Sequence, residues 1–324
     1  MTLLVIFAIL VGGAFWYTYP KLGHYVYHYG NYLEAKCYGF TKQTVTIDEI
    51  QYKICTTANT NKPMLLLIHG FSASHAVWLR YAKYLADDYY VVIPDLAGHG
   101  ETGYQRNWDY SIDSQSKRLT QLIAKLGATE AHIVGNSMGG YIAAHMASYN
   151  PDYCSSITLI DPAGLVSPKP SKMDSLITEG RNPFFIYSDA DFIQFYEMTM
   201  ARPPFLPKLV KMALKQHYQS RRDELEKIFM DYTHQYNYLY SKISAVKCPS
   251  MLIWGAKDEL IDVSCALLWS KSLNCVQHIW HDLGHMPMVE APERTAWASI
   301  EFLVQQKASK LKNAADKESI SSGK

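Results

Sequence analysis

The sequence has almost no excess charge of either sign, and this absence limits its partners. Its 324 residues include 31 lysines and arginines against 30 aspartates and glutamates, so the formal net charge is +1. A nucleic-acid-binding domain ordinarily carries a basic stripe or patch, because phosphate contacts supply most of its affinity. The balanced charge therefore predicts no nucleic-acid partner.

Cysteine is sparse and scattered, which argues against a Cys-x-x-Cys redox site and against a cysteine–histidine zinc site. The six cysteines form no Cys-x-x-Cys pair and show no cysteine–histidine spacing of the zinc type. We therefore expect neither a metal nor a cofactor. Buried free thiols are the simple expectation, and a single disulfide stays open if the domain lies in an oxidising compartment.

Residues 1–20 lack any charged side chain, and this stretch is long enough to cross a bilayer as a helix. Aromatic residues and then Lys21 follow its apolar heart, as at a membrane interface. A cleaved signal peptide is the alternative, but no basic residue precedes the run and no small-x-small site follows it. We expect a single-pass membrane protein with its anchor at 1–20 and a juxtamembrane connector at 21–42, the side of the membrane being open.

Strand and helix patterns alternate through residues 43–164 and again through 246–306. Runs such as Met64–Ile68 and Ser250–Trp254 are continuously apolar, which is typical of strands buried on both faces. Such alternation predicts an α/β fold with a mostly parallel central sheet flanked by helices. With 48% hydrophobic residues, the chain has ample material for one large core.

The alternation stops across residues 165–245, which are rich in methionine, phenylalanine and tyrosine. Pro203, Pro204 and Pro207 would divide this segment into several helices. We predict a helical cap inserted over the sheet. The polar residues 307–324 show no periodicity and are expected to form a disordered tail.

One predicted cap helix carries a stripe of three lysines, Lys208, Lys211 and Lys215, beside apolar residues. Such a basic amphipathic helix is suited to lie on anionic lipid. The alternative is an ordinary solvated face of a cap helix.

The most informative stretch is Gly135-Asn-Ser-Met-Gly139, which lies between a strand pattern and a helix pattern. In that context Ser137 is expected on a tight, strained turn with its hydroxyl exposed. Glycines at 135 and 139 allow the neighbouring strand and helix to approach closely. The helix that begins beside Ser137 directs its free amides at any negative charge formed there.

Two further polar residues follow later strands, and they complete the machinery that such a serine needs. Asp258 and His285 each lie in a loop after a strand, so with Ser137 they meet at the carboxyl edge of the sheet. A serine hydroxyl needs a base, and the base needs an orienting anion. We assign His285 as the base and Asp258 as the anion, with Asp161 and Asp262 as competing acids.

An oxyanion also needs hydrogen-bond donors. The amide of Met138 heads the helix after the serine, and the amide of Phe71 lies in the loop after the Met64–Ile68 strand. These two amides are the expected donors.

These segments resemble the α/β-hydrolase superfamily over roughly residues 43–306. Within it, the chain looks most similar to membrane-anchored monoacylglycerol lipases of the α/β-hydrolase-domain group and to related small bacterial lipases. The segments that carry this resemblance are His69-Gly-Phe-Ser-Ala73, Gly135-Asn-Ser-Met-Gly-Gly140, Pro162-Ala-Gly-Leu165, Arg202-Pro-Pro-Phe-Leu-Pro207, Trp254-Gly-Ala-Lys-Asp258 and Gly284-His-Met-Pro-Met-Val-Glu290. The resemblance implies hydrolysis of acylglycerol esters by Ser137, Asp258 and His285, with Phe71 and Met138 as oxyanion donors.

Three functions compete at this stage. A lipase or carboxylesterase agrees with the apolar predicted cap, because burial of each substrate methylene is worth about 0.8 kcal/mol. A carbon–carbon bond hydrolase of ring-fission products has the same serine motif, but it would want basic or polar groups to hold a dicarboxylate. A non-catalytic binding protein of the same fold is disfavoured by the intact serine, acid and histidine.

Overall fold

The computed structural model describes residues 21–234 and 238–322. Eight strands form one sheet, and their bounds are β1 (Thr41–Ile47), β2 (Ile50–Thr56), β3 (Met64–Ile68), β4 (Tyr90–Pro94), β5 (Ala131–Asn136), β6 (Cys154–Ile160), β7 (Ser250–Gly255) and β8 (Val276–Trp280). Across the sheet they lie in the order β1-β2-β4-β3-β5-β6-β7-β8. The pairs β1–β2 and β2–β4 are antiparallel, and the other five pairs are parallel. The predicted mostly parallel α/β sheet is confirmed.

Helices cover both faces of this sheet. Their bounds are α1 (21–37), α2 (Leu79–Ala82), α3 (Ile112–Lys125), α4 (Met138–Tyr149), α5 (Lys172–Thr178), α6 (Asp189–Thr199), α7 (Lys208–Ser220), α8 (Arg222–Thr233), α9 (Cys265–Leu273), α10 (Pro287–Glu290) and α11 (Pro292–Ser322).

The central strand β3 shows why its sequence is apolar at every position. Leu66 and Ile68 belong to the core that includes buried residues of α3, α4 and α9, whereas Leu65 and Leu67 belong to the core that includes α2 and α11. Successive side chains of a strand point to opposite faces, so a strand between two helical layers needs apolar residues throughout.

Helices α5 to α8 lie between β6 and β7, and the described residues of 165–245 include no strand. Ser171 and Ser188 begin α5 and α6 as capping boxes, each with an aspartate three residues later. Phe184 and Phe195 of this segment belong to the same core as β3 and α4. The segment therefore packs onto the sheet, while its exact boundaries as a cap stay a prediction.

The three lysines predicted to form a basic stripe lie on α7, and two of them contact side chains of α6. Lys215 Nζ lies 2.6 Å from a carboxylate oxygen of Asp189, and Lys211 Nζ lies 5.1 Å from the ring centre of Tyr196. These contacts favour the reading of α7 as a cap helix face. A role in lipid contact stays untested.

The predicted localisation as a single-pass membrane protein is wrong on the described part of the chain. No helix there is both long enough and apolar enough to cross a bilayer. The longest, α11, has 31 residues, but charged and polar residues are distributed throughout its sequence. The predicted anchor at 1–20 lies outside the described residues.

The prediction of a disordered tail that begins at residue 307 also needs correction, because α11 continues to Ser322. Residues 307–322 contain neither glycine nor proline, and seven of the sixteen are lysine or alanine. These residues have high helix propensity, so a helix already formed by packing propagates through them. The six cysteines are all free thiols.

Candidate active site

Ser137 lies on the predicted strained turn, between β5 and α4. Its backbone has φ 57° and ψ −119°, a conformation that is uncommon for a residue with a side chain. Backbone hydrogen bonds hold it there: its amide donates to Ile160, and its carbonyl oxygen accepts from Tyr141 and Ala163, each at 3.0 Å. The surrounding backbone thus stabilises the turn that presents the serine.

The two glycines around Ser137 are required by close backbone contacts. A Cβ atom on Gly135 would lie 2.2 Å from the carbonyl oxygen of Gly139, and one on Gly139 would lie 2.2 Å from that of Ile68. Any larger residue at either position would therefore push α4 away from the sheet. Packing of the turn therefore explains the two glycines of the motif, whereas Ser137 is its expected reactive residue.

His285 and Asp258 are brought together from loops after β8 and β7. Nδ1 of His285 lies 2.7 Å from Oδ2 of Asp258, and both residues are buried. The other carboxylate oxygen, Oδ1, accepts the amides of Leu260 and Ile261 at 2.8 and 3.0 Å. Asp258 is therefore held by its own loop, and it leaves Nε2 of His285 available to another group.

The two competing acids have other partners. Asp262 accepts the amide of Ser264 at 2.9 Å, as a turn-forming aspartate does. Asp161 accepts the amide of Gly255 at 2.9 Å through Oδ1 and is fully buried. Among the three carboxylates, the hydrogen bond to His285 is made by Asp258.

The loop that carries Phe71 lies directly against Ser137. A Cβ atom on Gly70 would lie 3.1 Å from Cβ of Ser137, so this loop passes the serine at van der Waals distance. Met138 is the first residue of α4, where a backbone amide has no partner within the helix. Within the described residues, the amides of Phe71 and Met138 have no acceptor.

His69 makes hydrogen bonds to the backbone on both sides of its ring. Its Nδ1 lies 2.8 Å from the carbonyl oxygen of Gly70, and its Nε2 accepts the amide of Leu96 at 3.1 Å. Both ring nitrogens are used by the backbone, and burial lowers the pKa of His69. The histidine therefore fixes the loop next to Ser137 as a neutral hydrogen-bonding group.

A cavity of about 300 Å³ contains Ser137 and His285 in its wall. Its roof is formed by side chains of the segment between β6 and β7, together with one face of α1. The apolar part of this lining includes Phe184, Phe192, Phe195, Met200, Leu206 and Leu214. These apolar side chains suit an extended apolar group. The cationic side chains of Lys42, Arg80 and Arg221 also line the cavity.

Asp161, Asp258 and His285 also place one ligand atom each within 4.8 Å of one another. A transition metal binds such nitrogen and oxygen atoms at about 2.0–2.2 Å. A histidine nitrogen that binds a metal carries no proton, so it cannot donate a hydrogen bond to a carboxylate. In this site Nδ1 of His285 is in direct hydrogen-bond contact with Asp258. The geometry therefore fits a hydrogen-bonded cluster better than a metal centre.

Two residues that hold His285 in place were not assigned a role from the sequence. Oε1 of Glu290 accepts the amides of Gly284 and Met286, on either side of the histidine, at 2.9 and 3.3 Å. The side-chain amide of Asn136 donates to the carbonyl oxygen of His285 at 3.0 Å. Asn136 thus links the serine turn to the histidine loop.

Replacement of Glu290 by alanine is expected to lower kcat on the order of 10- to 100-fold, because a small misplacement of a catalytic base has effects of that size. KM should change much less, since Glu290 acts through the loop of His285. Steady-state kinetics with one soluble ester would measure both parameters.

Glu301→Ala is the matched control, because Glu301 is an exposed carboxylate on α11. Thermal unfolding of both variants would show whether the fold is retained. A Glu290→Ala enzyme that is folded and as active as Glu301→Ala would contradict this role.

Comparison with known proteins gives consistent similarities. Residues 63–292 match a family model described as alpha/beta hydrolase fold. Lipase 1 from Psychrobacter immobilis is 36% identical over 238 residues, which are 72% of this chain and 74% of that protein. Monoacylglycerol lipase ABHD6 from Homo sapiens is 29% identical over 255 residues, 75% of this chain and 76% of that protein.

Among solved structures, one described as a membrane phospholipase A and bacterial virulence factor is similar over nearly the whole chain. The TM-score is 0.85 at 30% sequence identity, and the alignment covers 94% of this chain and 98% of the other.

Proposed function

The chain belongs to the alpha/beta hydrolase fold family, and on this basis we propose that it is a lipase or carboxylesterase that cleaves carboxylic esters of lipids. In this proposal Ser137 is the nucleophile, His285 the general base and Asp258 the residue that orients it. The observation that carries the assignment is the buried hydrogen bond between His285 and Asp258, together with the mostly apolar cavity that both His285 and Ser137 line.

In the proposed reaction, His285 takes the proton of the Ser137 hydroxyl while the serine oxygen attacks the ester carbonyl carbon. The amides of Phe71 and Met138 hold the oxyanion that forms, and each such donor is worth roughly 3–4 kcal/mol in the transition state. Collapse of this intermediate breaks the ester bond, and the alcohol leaves with the proton from His285. A water molecule, deprotonated by His285, then releases the fatty acid from Ser137.

The substrate class is supported by the cavity and by the names of the similar proteins. An acyl chain gains about 0.8 kcal/mol for each methylene transferred from water to an apolar wall. We propose that residues 165–245 act as the cap that supplies this wall. An acylglycerol is the substrate that we expect, with no cofactor and no metal.

A series of monoacylglycerols and p-nitrophenyl esters of increasing acyl length tests this function. We expect kcat/KM to rise with chain length, by at most about fourfold per methylene, until the cavity is filled. Purified protein that hydrolyses none of these esters would contradict the proposal.

A carbon–carbon bond hydrolase is the second candidate, because its serine motif is the same. Its substrate is a ring-fission dienoate, which is a carboxylate anion, whereas apolar groups form most of the cavity lining. Turnover of such a dienoate in the same assay, at a kcat/KM above that of every ester, would replace the lipase proposal.

A further inference from the structure

Asp161 is a buried carboxyl group that the proposed mechanism does not use. It directly follows β6 with φ 44°, an uncommon conformation for a residue with a side chain, and its side chain is fully buried. Its own amide donates to Ile253, and its Oδ1 accepts the amide of Gly255. Both bonds are to β7, so the carboxyl group is fixed beneath the loop that carries Asp258.

The second oxygen of Asp161, Oδ2, is the unusual atom. It is inaccessible to solvent and has no hydrogen-bond partner in the part of the chain that the structure describes. A carboxyl oxygen of Asp161 lies within 4.8 Å of both an oxygen of Asp258 and a ring nitrogen of His285. An ionised carboxylate in this position would be desolvated, unpaired on one side and next to a second anion.

We propose that Asp161 is protonated at neutral pH and donates a hydrogen bond to Asp258, so that it acts as a positioning residue for the triad. A proton on Asp161 lets the buried oxygen donate a hydrogen bond, and Asp258 gains a fourth partner beside His285 and the two loop amides. Asp258 then remains the single anion that orients His285. This inference rests on the proposed function only through the role of Asp258.

The charges around Asp161 agree with a neutral group. Burial raises the pKa of Asp161 well above its usual range, and the negative charge of Asp258 raises it further. Glu290 also faces it and acts in the same direction. His285 is the one titratable base in this cluster, and its ring nitrogen is paired with Asp258. Two carboxyl groups at this separation are more stable with one negative charge between them than with both groups ionised.

Asparagine is the substitution that separates a neutral donor from an anion. Its side-chain oxygen can accept the amide of Gly255, and its NH₂ group can donate to Asp258, so Asp161→Asn keeps both hydrogen bonds. We expect Asp161→Asn to lose no more than about threefold in kcat/KM and Asp161→Ala to lose about tenfold. An Asp161→Asn loss as large as that of Asp258→Asn would overturn the proposal.

The pH dependence of kcat/KM gives a second readout. Its acidic limb reports protonation of the base in the free enzyme, and Asp161→Asn should leave that limb in place. If Asp161 were ionised, Asp161→Asn would remove a negative charge near His285 and shift the limb to lower pH by about one unit or more. Such a shift would overturn the proposal even if the rate at high pH were retained.

Infrared spectroscopy tests the proton directly and does not depend on turnover. At neutral pH the wild-type spectrum minus the Asp161→Asn spectrum should contain the carbonyl band of a protonated carboxyl group. The band should persist in Glu290→Gln, whose native carboxyl group is also partly buried. Absence of the band in the wild-type enzyme would overturn the proposal, whereas failure of the lipase function would appear separately, as missing ester hydrolysis.

Discussion

Replacement of Ser137 by alanine is expected to lower kcat on the order of a million-fold, the size found when a triad serine is removed. The variant loses the nucleophile but keeps the backbone hydrogen bonds to Ile160, Tyr141 and Ala163 that shape the turn. The fold should therefore be retained. Steady-state hydrolysis of a p-nitrophenyl ester and thermal unfolding would measure the two effects.

Ser148→Ala is the matched control for this experiment. Ser148 lies on the same helix, α4, and its hydroxyl donates to the carbonyl oxygen of Ala144. A fluorophosphonate probe should label the wild-type protein and Ser148→Ala, and it should fail to label Ser137→Ala. Labelling of a folded Ser137→Ala protein, or its normal turnover, would show that another residue is the nucleophile.

Replacement of Asp258 by asparagine is expected to lower kcat on the order of 10⁴-fold, as for other triads in which the acid is amidated. The amide cannot stabilise the imidazolium that forms on His285, and its NH₂ group disfavours the required tautomer. Oδ1 would still accept the amides of Leu260 and Ile261, so the loop should stay folded. The decrease should therefore appear in kcat more than in stability.

Asp262→Asn provides the contrast for Asp258→Asn. Asp262 follows the same strand, but its carboxylate accepts the amide of Ser264. We expect Asp262→Asn to retain wild-type kcat within about twofold, since surface-loop changes away from the reacting groups have small effects. If Asp262→Asn lost as much activity as Asp258→Asn is expected to lose, the acid would be assigned wrongly.

Several parts of the fold follow from local sequence alone. The β1–β2 hairpin is predicted by two runs of strand-forming residues around Asp48-Glu49, and both turn residues have positive φ, as a tight hairpin requires. The continuous apolar run of β3 predicts burial on both faces, which the two cores confirm. These features depend on neighbours within a few residues, and local patterns report such neighbours well.

Two predictions for the ends of the chain show the limit of composition. The polar tail was predicted to be disordered because it has no apolar periodicity. Its helix extends from residues that do pack, such as Phe302 and Leu303, and good helix formers continue it. The single-pass localisation rested on the apolar character of 1–20, and no helix in the described ranges meets the requirement for crossing a bilayer.

The sequence by itself determined the order of strands and helices, the strained turn at Ser137 and the short set of residues able to complete a triad. Only the tertiary structure decided which carboxylate binds His285, because Asp161, Asp258 and Asp262 all follow strands and differ only in where their loops direct the side chain. It likewise placed Oε1 of Glu290 against the amides of Gly284 and Met286, and it left Oδ2 of Asp161 buried with no hydrogen-bond partner among the described residues. Hydrogen bonds between groups far apart in the chain depend on loop paths within a fraction of an ångström, and no local sequence pattern encodes that distance.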